Sequence, residues 1–414
     1  MDSVPAMPDT PAPRLKSRLL TLLRPSDWFI PDVVLPWLAS RIMLIVVAWI
    51  FLHLTTYAVN GKWEIGAQGK TVNVDGRPLS TSRVVTNVFS RWDAGWYLQL
   101  ARDGYQFVPG QQSNAAFFPV YPFLVRCAHF FAPGKSDGSW LNTGIVVSNL
   151  ILLLGLTYLY RLVRLDFDTS TAQRSILYLL LFPTTLFFSA VYTESSFLCV
   201  TVASVYYARK GKWWLSGLFG AVAVVTRSPG IVMAAPLGLE YLRQRQFKLT
   251  RISWDIFAIA LPPIALGGFL WFMQWRFGNA FATRDAQFAW AGPGGGLSWP
   301  WTTAAEFFKG PITMHGGRHS MIDFAFTVFC FGLCVVSTIR LPMIYAAFGW
   351  ACLFFTIGWG SFAGMSRYSL AIFPIFVVLA LAGRKPTVDR FYLTISTGLA
   401  ALFMMLFAHW DWVG

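Results

Sequence analysis

Residues 213–240 read WWLSGLFGAVAVVTRSPGIVMAAPLGLE. The run is long and apolar enough to cross a bilayer, which takes about 20 such residues. It is broken in the middle by Thr226-Arg227-Ser228-Pro229-Gly230. Proline removes a backbone donor and clashes with the preceding turn, and glycine loosens the chain. Arg209, Lys210 and Lys212 precede the run, and Arg243, Arg245, Lys248 and Arg251 follow it. Basic loops stay on the cytoplasmic side, so both ends belong on one face. The run is therefore predicted to be two half-length segments, 213–225 and 229–240, meeting at Arg227 near the far face. Irregular backbone at that depth must be buried in protein or line a wet cavity.

Outward from this break the chain has the same character. Of 414 residues 55% are hydrophobic, 13% are charged, and the mean hydropathy is +0.52. Soluble domains carry roughly 25% charged residues. An ordinary cytosolic enzyme, a disordered chain and a disulfide-built secreted scaffold are excluded. Further spans are predicted at 33–57, 140–160, 174–190, 194–208, 254–275, 321–339, 342–358, 366–382 and 391–408. The fold class is an all-α polytopic membrane bundle of about ten to eleven membrane segments. The expected layout is a cytoplasmic tail, 1–32, a single membrane domain, 33–408, and a short external C-terminus, 409–414. Two large external loops are expected at 58–139 and 276–320. The net charge of +14 is absorbed by cytoplasmic loops and needs no nucleic-acid partner. The cysteines, Cys127, Cys199, Cys330, Cys334 and Cys352, form no CxxC pair and read as small apolar fillers. Short termini and compact loops point to a bacterial plasma membrane.

The first external loop carries Arg91-Trp92-Asp93-Ala94-Gly95-Trp96-Tyr97-Leu98-Gln99-Leu100-Ala101-Arg102-Asp103-Gly104-Tyr105. Leu98, Ala101 and Tyr105 fall on helical spacing, and Gly104 suits a helix stop. A short interfacial helix is expected, followed by a restart after Pro122 in Asn114-Ala115-Ala116-Phe117-Phe118-Pro119-Val120-Tyr121-Pro122-Phe123. Asp93 is either the cap of that helix or a general base at the membrane face. Arg227 is the first candidate for an anionic leaving group, beside a helix start at Pro229; the alternative is an arginine pinning loop carbonyls. Arg367, beside Tyr368, is the second candidate, or else an interfacial anchor. Glu194 lies in a short external turn and either binds substrate, orients Arg227, or complements a helix dipole. Asp103 reads as an ordinary helix-end residue and ranks low as a substrate contact. His315 and His319 have H-x3-H spacing, but two intervening glycines argue against a helical metal site. No metal and no cofactor are expected, and His319 is kept as a substrate-binding candidate. Gly292-Pro293-Gly294-Gly295-Gly296 is a candidate mobile cover. Trp92, Trp96 and Trp290 are belt residues or sugar-stacking faces.

Arg91-Trp92-Asp93, Ala101…Gly104-Tyr105 and Phe117-Phe118-Pro119-Val120-Tyr121-Pro122 resemble the signature of the PIG-V family, the GPI mannosyltransferase 2-like enzymes. Phe182-Pro183…Phe187-Phe188-Ser189-Ala190-Val191-Tyr192-Thr193-Glu194-Ser195-Ser196-Phe197, the Arg227 break and Ser366-Arg367-Tyr368 resemble its later motifs in order. The resemblance implies a GT-C-type glycosyltransferase with an extracytoplasmic site. It implies a polyprenyl-phosphate sugar donor, mannose in the PIG-V case, and inversion at the anomeric carbon. It makes Asp93 the catalytic base, with Arg227, Arg367 and Tyr368 at the donor phosphate. Arg91, Trp92, Asp103, Tyr121, Glu194 and His319 are the substrate-binding candidates. The acceptor would be a glycolipid or glycan, surrounded by membrane lipids. A eukaryotic member would sit in the endoplasmic reticulum membrane. The competing classes are a lipid or solute transporter or flippase, and a non-catalytic subunit of a glycolipid assembly complex. A transporter would show matching broken helices in two halves and charges at the midplane. Only one clear break is present, and Asp93, Glu194, Arg227 and Arg367 map near one face. Arg41, about nine residues into the first span, has no account at this level.

Overall fold

The computed structural model describes residues 27–54, 63–65, 71–73, 84–291 and 297–414. The glycine-rich stretch 292–296 and the tail before residue 27 lie outside the described residues, as does the side chain of Trp290. The described chain is helical apart from a two-stranded antiparallel ribbon, Trp63–Ile65 with Thr71–Asn73. Five helices are long and apolar enough to cross a membrane: Ile30–Leu52, Asp137–Asp166, Trp254–Phe277, Met321–Arg340 and Pro386–Ala408. A sixth crossing results if Met365–Ala371 and Pro374–Ala382, bent by 86°, count as one. The protein is a multi-pass integral membrane protein.

Of the ten to eleven membrane segments expected, five or six are full-length candidate crossings among the described residues. The other expected segments are present as helices, but short ones: Thr169–Leu180, Glu194–Arg209, Trp213–Val224, Ala234–Gln244 and Met343–Ile357. At 1.5 Å per residue, a 15-residue helix reaches about 22 Å against a hydrocarbon core of about 30 Å. Apolar length counted across Pro183 overstates what one helix spans, because the Thr169–Leu180 helix ends before that proline and irregular backbone follows. The Asp137–Asp166 and Glu194–Arg209 helices form the centre of the bundle, and Phe197, Leu198, Val202, Ala203 and Val205 are fully buried.

The interrupted run behaves as its charges require. The Trp213–Val224 helix stops, Arg227 is extended, a 3-10 segment covers Ser228–Met233, and Ala234–Gln244 runs back. The Trp213 and Tyr241 rings lie 4.8 Å apart, so the two ends of the run meet. Glu240 closes that end with Arg209 at 3.1 Å and Arg243 at 2.7 Å, while Arg209 also pairs with Asp166. At the turn itself Gly230 packs so tightly that a Cβ would lie 2.1 Å from the Ala223 carbonyl oxygen. Gly230→Ala is therefore expected to lower thermal stability by roughly 1–3 kcal/mol, since backbone rather than a movable side chain must yield. A thermal melt in nanodiscs checks this.

Arg41 also has an explanation. Its guanidinium donates to the Thr185 carbonyl at 3.1 Å, Thr185 Oγ1 at 2.8 Å and Ser189 Oγ at 3.0 Å. The buried cation thus holds the irregular segment that precedes Glu194, where backbone carbonyls lack helical partners.

Asp168 caps the Thr169–Leu180 helix, accepting from the Thr171 N–H at 2.7 Å, and pairs with Arg384 at 2.7 Å. Hydrogen bonds from Thr171, then the Arg384 charge, hold its carboxyl below the ordinary value. A lowered folded value stabilises above the unfolded pKa and is lost as pH falls through the folded one. Asp168→Ala should cost about 1 kcal/mol at neutral pH, and the gap from wild type should shrink on acidification. Melting both proteins across acidic and neutral pH measures it.

The short helix after Asp93 is Ala94–Asp103, ended by Gly104 at φ +81°. The next helix does not wait for Pro122. It runs Val120–His129, with Pro122 in its first turn, where no N–H is needed.

Candidate active site

Four charged residues from four separate segments converge. Asp93 precedes the Ala94–Asp103 helix, Glu194 opens the Glu194–Arg209 helix, Arg227 sits in the break, and Arg367 lies in the short Met365–Tyr368 turn. Arg367 Nη1 is 2.9 Å from Asp93 Oδ2. Arg367 Nε donates to Glu194 Oε1, and Arg227 Nη1 reaches the same oxygen at 2.5 Å. Glu194 is 2% exposed and its Oε2 has no partner among the described residues, whereas Asp93 is 26% exposed. The cluster thus runs from a dry carboxylate through two guanidinium groups to one open carboxylate.

Asp93 occupies the cap position, but its side chain makes no capping bond. The carboxylate pairs with Arg367 instead. The turn that presents it is held tightly. Trp92 has φ +59°, a conformation costly for a bulky side chain. Tyr192 clamps it: the phenol donates to the Arg91 carbonyl at 2.9 Å and accepts from the Asp93 N–H at 3.1 Å. Tyr97 Oη lies 3.3 Å from Thr193 Oγ1. Burial pushes both phenols up, so both remain protonated at neutral pH.

Aromatic rings pave the cluster. Arg227 Cζ lies 4.7 Å from the centre of the Tyr368 ring, and Arg367 Cζ lies 4.6 Å from Tyr192 and 5.8 Å from Trp412. Ring faces of this kind hold guanidinium groups without neutralising them. Trp92 stands half-exposed, edge-on to Trp412 at 5.4 Å.

The remaining sequence candidates fall elsewhere. Arg91 is buried and donates to the Phe407 carbonyl at 2.9 Å and to the Ala408 carbonyl, so it clasps the end of the last helix. Tyr121 is fully buried and bonds Gly144 O at 3.0 Å and Ser148 Oγ at 2.9 Å. Asp103 pairs with Arg102, which also reaches Asp137 at 2.8 Å, forming an exposed surface link. His319 Nδ1 sits 2.8 Å from the Phe307 carbonyl within its own loop. No group of three His, Cys, Asp or Glu residues suited to a metal occurs among the described residues.

Sequence reasoning missed Tyr192, Tyr97 and Trp412 as parts of the site. Tyr192 stands inside the quoted motif, two residues before Glu194, and its position was the available signal. Trp412 follows the last span and resembles a belt residue, so nothing local marked it.

Over 92% of its length the chain superposes on the crystal structure of ArnT from Cupriavidus metallidurans bound to undecaprenyl phosphate, with TM-score 0.50, 12% identity and 76% of that chain covered. This shows the fold to be that of the GT-C glycosyltransferases. Residues 71–254 match the family described as mannosyltransferase (PIG-V), and that segment holds Asp93, Glu194 and Arg227. The chain is similar to GPI mannosyltransferase 2 of Chaetomium globosum, 30% identical over 199 residues, covering 40% of this chain and 41% of that one. It is also similar to GPI alpha-1,6-mannosyltransferase 2 of Mus musculus, 31% identical over 151 residues, covering 34% and 29%. The chain thus spans less than half the length of these curated relatives. Arg367, Tyr368 and His319 lie beyond the matched segment.

Proposed function

We propose that the protein is an inverting membrane glycosyltransferase. It moves a hexose, mannose first among candidates, from a polyprenyl-phosphate donor to a glycolipid or glycan acceptor. The single observation that supports this best is the Asp93 carboxylate, unspent as a cap and aimed at Arg367 beside Arg227. The mannosyltransferase relatives supply the reaction class. The undecaprenyl phosphate bound by ArnT supports a lipid-linked donor.

In this mechanism an acceptor hydroxyl attacks the anomeric carbon while Asp93 takes its proton. The bond from that carbon to the phosphate oxygen breaks, and the lipid phosphate leaves with the electron pair. Its growing charge meets the fixed guanidinium groups of Arg227 and Arg367, with Tyr368 beneath Arg227. Two carboxylates already balance the two arginines. The donor phosphate must therefore displace one, and the exposed Asp93 is the displaceable partner. Donor binding thus frees the base. Glu194 keeps the arginines in place throughout. Basic residues between 209 and 251 put that end in the cytoplasm and the cluster outside, with the N-terminus inside, in a bacterial plasma membrane.

The test is purified protein in nanodiscs with polyprenyl-phosphate [3H]mannose and a lipid extract of the source membrane. Label should move to a new glycolipid. Donor bound without transfer, for mannose and for the glucose and galactose analogues, would overturn the assignment.

A further inference from the structure

The helices Trp213–Val224 and Ala234–Gln244 are flanked by two turns that the mechanism does not use, 210–212 and 245–251. The turns adjoin each other. The Gln244 amide donates to the Ala208 carbonyl at 2.9 Å, and the Trp213 and Tyr241 rings meet beneath them. Residues 246–251 are all exposed, and they lead within three residues to the membrane-crossing helix Trp254–Phe277.

The charge on this surface has one sign. Arg243 pairs with Glu240 at 2.7 Å and Arg245 with Asp255 at 2.8 Å, so these two are neutralised. The exposed Lys210, Lys212, Lys248 and Arg251 pair with no carboxylate among the described residues. Residues 246–254 contain no acid. Arg251 donates to Gln246 Oε1 at 2.6 Å, a neutral partner that orders the side chain and leaves its charge intact.

Large apolar side chains stand between these cations. Phe247 is 58% exposed, Leu249 75% and Trp254 82%. The backbone holds Phe247 out at a cost. Gln246 and Phe247 have φ of +57° and +56°, a region that disfavours a residue with a β-carbon. The Phe247 N–H closes on the Leu242 carbonyl at 2.8 Å, a helix end that ordinarily takes glycine. No burial of the Phe247 ring within the chain offsets that strain. Apolar side chains interleaved with unpaired cations match a bilayer surface with negative headgroups, where rings enter the acyl boundary and Lys or Arg meets phosphate.

We propose that this surface binds an anionic phospholipid, with Lys248 and Arg251 on its phosphate and Phe247 and Leu249 against its acyl chains. A lipid fits better than a soluble anion, because the cations alternate with apolar side chains and the segment runs directly into a helix that crosses the bilayer. The inference is independent of the transferase reading, and its test uses no sugar donor.

The test is native mass spectrometry of the full chain in neutral detergent, titrated with dioctanoyl phosphatidylglycerol. Dioctanoyl phosphatidylcholine, glycerol 3-phosphate and hexaglutamate serve as controls, and all should bind more weakly. Each basic residue at an anionic lipid surface is worth about fivefold in affinity. The double variant Lys248→Gln, Arg251→Gln should therefore raise the phosphatidylglycerol Kd roughly twentyfold and leave the phosphatidylcholine Kd unchanged. Phe247→Gly separates lipid binding from folding. It should weaken phosphatidylglycerol binding roughly fivefold or more by removing the ring, yet raise the melting temperature in detergent, because glycine suits φ +56°. Equal Kd for the two phospholipids, or an unchanged phosphatidylglycerol Kd in the double variant, overturns the proposal. Glycerol 3-phosphate or hexaglutamate bound as tightly as phosphatidylglycerol overturns it too, in favour of a soluble anion or an acidic protein segment.

Discussion

Asp93→Asn should leave a folded protein that binds donor and transfers essentially nothing. Removing a general base costs about 10²–10⁴ in rate, and the neutral amide keeps the side-chain shape. The same change should leave donor affinity equal or higher. Asp93 competes with the phosphate for Arg367 Nη1, at 2.9 Å in the resting state. An asparagine competes less. Loss of transfer together with tighter donor binding would separate a base from a phosphate ligand, since loss of a ligand weakens binding. Equal transfer by variant and wild type would return Asp93 to a structural role. Single-turnover transfer and equilibrium donor binding in nanodiscs give both numbers.

Glu194→Leu should have the largest effect on stability. Glu194 Oε1 is the shared acceptor of Arg227 and Arg367, and all three groups are at least nine-tenths buried. Removing one partner of a buried ionic network costs about 3–5 kcal/mol, because the remaining charge stays buried and unpaired. Two guanidinium groups are left here, only one with another carboxylate in reach. The variant should express poorly or melt well below wild type. Glu194→Gln retains an acceptor and should lie between them. A Glu194→Leu protein with wild-type melting would mean that the arginines find other partners, and the cluster would lose its assigned rigidity.

Much of the site was legible before any coordinates, for physical reasons. Charge is expensive in an apolar chain, so each charge in an apolar run marks a constraint. That logic picked out Asp93, Glu194, Arg227 and Arg367, which the fold brings into one cluster. It also read the hairpin course of 213–240, since basic flanks tie both ends to one side. The same logic failed where the charge serves structure. Arg91 looks like a ligand and is a clasp on the last helix, because a guanidinium satisfies helix-end carbonyls as well as it satisfies phosphate. Tyr121 sits in the family-like motif yet is sealed among Gly144 and Ser148. Hydropathy misjudged the 174–190 segment, since its window sums across Pro183 after the Thr169–Leu180 helix has ended. Trp412 was invisible because it meets Arg367 and Trp92 only across the fold, and no local pattern records that.

The most direct measurement is an experimental structure of the Asp93→Asn protein with polyprenyl-phosphate mannose bound. The account predicts the phosphate within hydrogen-bond reach of Arg227 and Arg367, with the anomeric carbon facing residue 93. A phosphate held instead by Arg209 and Arg243 at the opposite end of the bundle would contradict it.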